Sequence, residues 1–402
     1  MMWIDGGVCA PRGFRAAAAA AGIKRPGSTR KDCALVVSDV PASIAGMFTT
    51  NRIQAAPVQW SRGICIRGIA RAVFINSGNA NACTGQQGIE DAQTTAAFVA
   101  QRLNVAVTEV AVLSTGVIGV PLPMDRLLAG ADACVAGLRK DASAAAAEAI
   151  MTTDTRPKYT ALEQSTGGAT VRFGAMAKGA GMIAPNLATM LCVITTDARI
   201  SAECLREALG YAVRESFNCI CVDNDMSTND AVLCLANGAA EGGEILPNTP
   251  EFEAFTEGLT AVAQAMAKEL VRDGEGATKF VTIRVHGTRS DEEARQVAAA
   301  IAKSQLVKTA FFGEDANWGR IACAAGYSGV LFDPGELGIR LGGIPVMHEG
   351  MPTSYREEDV SRVMREAEIE VEVSLGNGPG KAHFWTSDLS YEYVKINAEY
   401  RS

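Results

Sequence analysis

Lys178-Gly-Ala-Gly-Met-Ile-Ala-Pro-Asn-Leu-Ala-Thr-Met-Leu-Cys-Val-Ile-Thr-Thr196 runs a glycine-rich turn into an apolar stretch, with Thr189 at the seam. Gly179 and Gly181 permit positive φ, Pro185 fixes φ and removes a donor, and 190–194 is a short apolar run of the kind buried in sheets. On residues alone this is a tight connection into a core strand. The sharper alternative makes the Thr189 hydroxyl a nucleophile delivered to a strand edge.

Outward from this stretch, strand and helix patterns alternate. Residues 34–40 and 44–50 read as two strands split by Pro41-Ala-Ser43 and paired antiparallel, and 72–76 as an apolar strand entering the turn Ser77-Gly-Asn-Ala-Asn81. That turn reads equally well as structure or as the lining of a site. Residues 89–103 have helical spacing, and 110–113 form a strand into Ser114-Thr-Gly-Val-Ile-Gly119. A hydroxyl at Thr115 and an N–H at Gly116 can converge on a developing oxyanion, although an ordinary strand-to-helix turn has the same spacing. An alanine-rich helix is predicted over 124–151, then polar residues through Lys158, then two strands about Thr166-Gly-Gly168.

Beyond the opening stretch, Ser201 caps a predicted helix, 219–222 reads as a strand, and Asp223-Asn-Asp-Met-Ser-Thr-Asn-Asp230 lacks the glycine and twelfth-position glutamate of an EF-hand loop, so a polar turn is expected. Thr249-Pro250 opens a long helix closed by Asp273-Gly274, with Glu275 next. Residues 279–285 form a half-buried strand, and Ser290-Asp-Glu-Glu293 is a capping box for a helix to about residue 307. Gly313-Glu-Asp-Ala-Asn-Trp-Gly-Arg320 follows a strand-like pair and reads as a salt-bridged corner. Gly376-Asn-Gly-Pro-Gly-Lys381 fails as a phosphate loop, because Pro379 deletes an amide and no Ser or Thr follows the lysine. The tail from Tyr391 is apolar enough to pack and can lend side chains to a site.

The 402 residues are 48% hydrophobic with 40 glycines and a net charge of -8, which describes a layered α/β chain with no basic surface for nucleic acid. Eleven scattered cysteines without a CxxC pair fit reduced core thiols, and three distant histidines give no metal spacing. The six-alanine run at 16–21 is too short for a signal sequence, and no stretch reaches the roughly 18–20 apolar residues of a membrane span. A cytoplasmic protein without membrane or nucleic-acid partners is expected.

The opening stretch resembles the ornithine acetyltransferase family of arginine biosynthesis, the glutamate N-acetyltransferases that cut themselves before a threonine. Asn76-Ser-Gly-Asn-Ala-Asn81, Ser114-Thr-Gly-Val-Ile-Gly119, Thr152-Thr-Asp-Thr155, Asp273-Gly-Glu-Gly-Ala-Thr-Lys279, Gly313–Arg320 and Ile396-Asn-Ala-Glu-Tyr400 are similar to family blocks in family order. The resemblance implies a layered α/β sandwich cut between Ala188 and Thr189 into an α chain, 1–188, and a β chain, 189–402, assembled as an α2β2 heterotetramer. It implies transfer of acetyl from N-acetylornithine to glutamate through acetyl-Thr189, without metal or bound cofactor, and leaves open acetyl-CoA as a second donor.

By the same resemblance Thr189 is nucleophile and, once it begins a chain, its own base, since α-amines titrate at about 7.7–8. Thr115 and Gly116 match the oxyanion positions. Lys178 suits a substrate carboxylate, Glu275 the ornithine ammonium, and Thr152, Asn397 and Ser402 match further substrate contacts. Arg401 departs from the small hydroxyl residues usual at the family tail, and Thr152, Thr153 and Thr155 compete for one role. Two other readings fit the same residues: a self-cleaving aminopeptidase or amidohydrolase with water as acceptor, and an unprocessed ligand-binding protein.

Overall fold

The computed structural model describes residues 1–166, 168–184 and 190–399; Ala188, Thr189, Arg401 and Ser402, which carry the expected cut, nucleophile and tail contact, lie outside the described residues. Two sheets organise the chain. In the larger, the order is Met2–Ile4, Lys158–Thr166, Ala169–Lys178, Leu191–Thr196, Ala231–Ala236, Cys33–Phe48, Ile69–Asn79, Val110–Val117, with Phe14–Ala19 also paired to Cys33–Phe48. Segments from both sides of position 188 therefore share one sheet.

Leu191–Thr196 is buried at every position, which explains its unbroken apolar run. Cys192 and Ile194 enter a core shared with Leu205, Leu209, Phe255 and Leu259, whereas Leu191 and Val193 face a layer containing Phe14, Ala146 and Ala147. Burying a side chain such as Ile194 contributes about 1.5–3 kcal/mol. The strand is antiparallel to Ala169–Lys178 and parallel to Ala231–Ala236.

The two helices on the first of those faces form as their caps predict. Ser201 Oγ accepts from Cys204 N at 3.2 Å to start Ala202–Arg214, and Thr249 Oγ1 accepts from Phe252 N at 3.2 Å to start Pro250–Arg272. Along the latter, Phe255, Leu259, Val262, Met266 and Leu270 are all buried. The second sheet has the order Met351–Pro352, Ile344–His348, Leu337–Leu341, Glu368–Leu375, Phe280–Gly287, Gly378–Ser387, Ile220–Cys221, and the helix Asp291–Lys303 packs on it.

Four local expectations change. The two strands predicted over 34–50 are one bent strand, Cys33–Phe48, both of whose halves pair with Ile69–Asn79 across a register shift between Val37 and Ala42. Pro41 falls in that exposed irregularity, where its missing N–H takes no ladder bond. The helix predicted over 124–151 is two, Met124–Ala136 and Ser143–Ala149, because Arg139 exchanges backbone hydrogen bonds of 2.9 Å with Ala16 between them. Ser304 ends the helix at Lys303 and caps a new one, Gln305–Phe312, so the strand-like pair is helical. The Glu293 side chain of the capping box accepts from the N–H of Arg289 in place of Ser290. The salt bridge expected of the 313–320 corner is made by Glu314 with Lys279 Nζ at 3.2 Å, whereas Arg320 Nη1 donates to the Leu306 carbonyl at 2.8 Å.

Candidate active site

Thr115 and Gly116 lie near the end of Val110–Val117, in register with Ser77 and Gly78 of the neighbouring strand. Gly116 has φ +132°, and a Cβ there would sit 2.4 Å from the Gly78 carbonyl carbon, so only glycine lets the two backbones approach this closely. Lys178, the last residue of its strand, is 2% exposed and brings Nζ to 3.3 Å from Thr115 Oγ1. Burial drives the Lys178 pKa below the ordinary lysine range, against the opposing pull of Asp154 and, more weakly, Asp230 and Glu275.

Asp154 is the hub behind these groups. Its Oδ1 accepts from Gly179 N and from Lys158 Nζ, each at 2.7 Å, and its Oδ2 from Thr152 N at 3.0 Å. Burial works to raise its pKa, but Lys178 and Lys158 outweigh that and hold the carboxyl at about 2. Lys158 is also paired with Asp273, which binds the N–H and hydroxyl of Thr155. Thr155 is thus committed to structure, while Thr152 and Thr153 line the cavity.

Glu275 arrives from the turn after Pro250–Arg272, where its N–H donates to Ala180 O at 2.9 Å. Its carboxylate lies against Gly181: a Cβ at 181 would be 2.3 Å from Glu275 Oε2. The C-terminal helix Tyr391–Glu399 has no buried residue, so the tail joins the site through polar contact: Asn397 Nδ2 donates to Glu275 Oε2 at 2.7 Å. One cavity therefore brings together Thr115, Gly116, Thr152, Lys178, Glu275 and Asn397.

Sequence reasoning missed the supports. Asn229 Nδ2 reaches Ala80 O at 2.7 Å and Ser114 O at 2.8 Å, tying two cavity walls together. The presumed polar turn 223–230 holds the opening stretch at two points. Asp223 accepts from Met182 N at 2.6 Å and Ile183 N at 2.8 Å, with Met182 at φ +59°, and Asp230 accepts from Met190 N at 2.8 Å. The available clue was three aspartates directly after an apolar strand. The turn 76–81 is braced both from within, with Asn76 Nδ2 donating to Asn79 O at 2.9 Å, and from outside, with Asn81 Nδ2 donating to Gly88 O at 2.8 Å and Ser77 Oγ to Ala149 O at 2.7 Å, and Ala80 lines the cavity. Among the described residues no three His, Cys, Asp or Glu side chains are grouped to hold a metal ion.

Fold and cavity define a layered α/β enzyme with a polar cleft where a buried lysine and a carboxylate meet a glycine turn. The ArgJ family model matches residues 15–402. The arginine biosynthesis bifunctional protein ArgJ of Symbiobacterium thermophilum is 52% identical over 402 residues, all of both chains, and that of Gloeobacter violaceus is 47% identical over 99% of this chain and 98% of its own. A crystal structure of the Bacillus halodurans protein of the same description is 42% identical with a TM-score of 0.50, covering 51% of this chain and 97% of that one. The chain belongs to the ArgJ family, enzymes of arginine biosynthesis.

Proposed function

We propose that this enzyme moves acetyl from N-acetylornithine to glutamate through an ester on Thr189, after cutting its own chain between Ala188 and Thr189. The observation that carries the reading is the convergence of Thr115, Gly116, Thr152, Lys178, Glu275 and Asn397, far apart in sequence, on one cleft. The Thr189 hydroxyl attacks the acetyl carbon, and its own α-amine takes the proton and passes it to the departing nitrogen as the C–N bond breaks and ornithine leaves. Glutamate's amine then attacks the ester and gives up a proton through the same α-amine to the Thr189 oxygen, which restores the hydroxyl. The Gly116 N–H and Thr115 hydroxyl stabilise the oxyanion of both steps, a contribution worth roughly 3–4 kcal/mol of barrier per donor.

Lys178 pairs with a substrate carboxylate and Glu275 with the ornithine ammonium, each a charge-assisted contact in a shielded cleft. Thr152, Asn397 and Ser402 complete the substrate contacts. No cofactor enters these steps, since acetyl rides on the protein. A solved relative whose chain matches only half of this one supports a precursor cut near its middle.

Thr189→Ala tests the proposal. Intact-mass spectrometry is expected to show one uncut chain, without acetyl transfer; two clean chains from that variant refute it. Ornithine release by the wild type that ignores added glutamate would instead mark an amidohydrolase. Acetyl-CoA as a second donor predicts free thiol on mixing with glutamate, and an α2β2 assembly predicts a native mass of two cut precursors.

A further inference from the structure

Most of the cleft is polar. Among its described lining residues, the apolar side chains larger than a methyl are Ile118 and Met182. They border different groups. Met182 follows Gly181, against which the Glu275 carboxylate lies. Ile118 stands two residues beyond Gly116, about 7 Å along an extended chain, and so borders the oxyanion donors. Those donors therefore have two flanks, a polar one where Lys178 Nζ reaches Thr115 Oγ1 at 3.3 Å and an apolar one at Ile118.

The apolar flank is held in place. Ala80 N donates to Val117 O and Gly119 N to Ala82 O, each at 2.9 Å, so the residues on either side of Ile118 are pinned to the 80–82 segment. Ala80 O is held in turn by Asn229 Nδ2 at 2.7 Å. Ile118 is half-buried and packs on a buried cluster of Ala55, Val58, Ala80 and Ala82. A side chain backed in this way cannot retreat from a ligand without overpacking the cluster.

We propose that Ile118 sets the acyl-length specificity of the enzyme, closing the cleft on a methyl and refusing longer chains; the inference rests on acetyl transfer with the oxyanion at Thr115 and Gly116. The acyl oxygen accepts from those two donors at about 3 Å. The methyl carbon of an acetyl group lies about 2.4 Å from that oxygen, so it stays within about 5.5 Å of both donors whatever the pose. The nitrogen side carries the ornithyl group toward Glu275. On the Lys178 flank a methyl would press on a buried ammonium and strip its remaining hydration, which is costly. The apolar flank remains, and Ile118 forms it. A second carbon on the acyl chain must enter the space of the Ile118 side chain or swing the carbonyl off its donors.

The test compares N-acetyl-, N-propionyl- and N-butyrylornithine as donors to glutamate, by steady-state ornithine release from the purified enzyme. Wild type is expected to use propionyl about 10–200-fold less well than acetyl in kcat/KM, the range for one methylene in an apolar pocket. Ile118→Ala should bring that ratio near one and admit butyryl, with Ile118→Val in between. Met182→Ala should change kcat/KM for both donors alike and keep the wild-type ratio. A wild type indifferent to acyl length, an Ile118→Ala ratio equal to that of wild type, or a Met182→Ala ratio relaxed as far as that of Ile118→Ala overturns the proposal. Should Ile118→Ala fail to fold by circular dichroism, the Ile118→Val ratio decides. Wild type that releases ornithine from none of the three donors defeats the acetyl-transfer reading itself, and this inference with it.

Discussion

Replacing Asp154 by asparagine should cost stability in a pH-dependent way. Its side chain is fully buried and bound to Lys158 Nζ at 2.7 Å, and in the folded chain its carboxyl stands at about 2, against about 3.9 for an unfolded aspartate. A lowered folded value contributes stability that is complete above the unfolded pKa and is lost as pH falls through the folded one. The shift of nearly two units is worth about 2.5 kcal/mol. Melting of wild type and Asp154→Asn, followed by tryptophan fluorescence between pH 2.5 and 8, should show a gap of a few degrees that is constant above pH 5 and narrows below pH 4. A gap of the same size at pH 3 and pH 7 would refute the assignment. Activity carries a second readout. Asp154 is the anion that most opposes the burial of Lys178, so without it the Lys178 ammonium should be lost at lower pH, and the alkaline limb of activity should move to lower pH.

Two further substitutions separate binding from chemistry. Gly181→Ala places a methyl against Glu275 Oε2 and should raise KM for N-acetylornithine by about tenfold, the size of one charged hydrogen bond, with a smaller change in KM for glutamate. Gly116→Ala, at φ +132° and against the Gly78 carbonyl carbon, should lower kcat by about 10²-fold, as measured by steady-state ornithine release.

Much of the site was legible because its residues carry chemistry that their neighbours do not. The lysine closing an apolar strand, the glutamate after Asp273-Gly274 and the Ser114-Thr-Gly run each stand out by residue type, and family blocks placed them in one reaction. Asp154, Asn229 and Asp230 did not stand out. A buried aspartate and an exposed one look alike in sequence, and only their partners tell them apart: Asp154 lies between two lysines, one of them from a strand end 24 residues on. The two misjudged helices have different causes: Arg139 follows a tertiary partner, Ala16, that no local pattern announces, whereas Ser304 is a local cap that accepts from Val307 N and was open to reading.

The sequence by itself determined the layered α/β class, the family, the apolar strand after the glycine turn and the residue types of the cleft, because periodicity, caps and turn residues act over a few positions. Tertiary structure alone decided that residues on either side of position 188 interleave in one sheet, that Thr155 braces while Thr152 lines, and that Asp223 and Asp230 hold the opening stretch at two points. Those outcomes depend on burial and on contacts between segments tens to hundreds of residues apart, which set the charge state and free hydrogen-bonding capacity of a side chain without changing its identity.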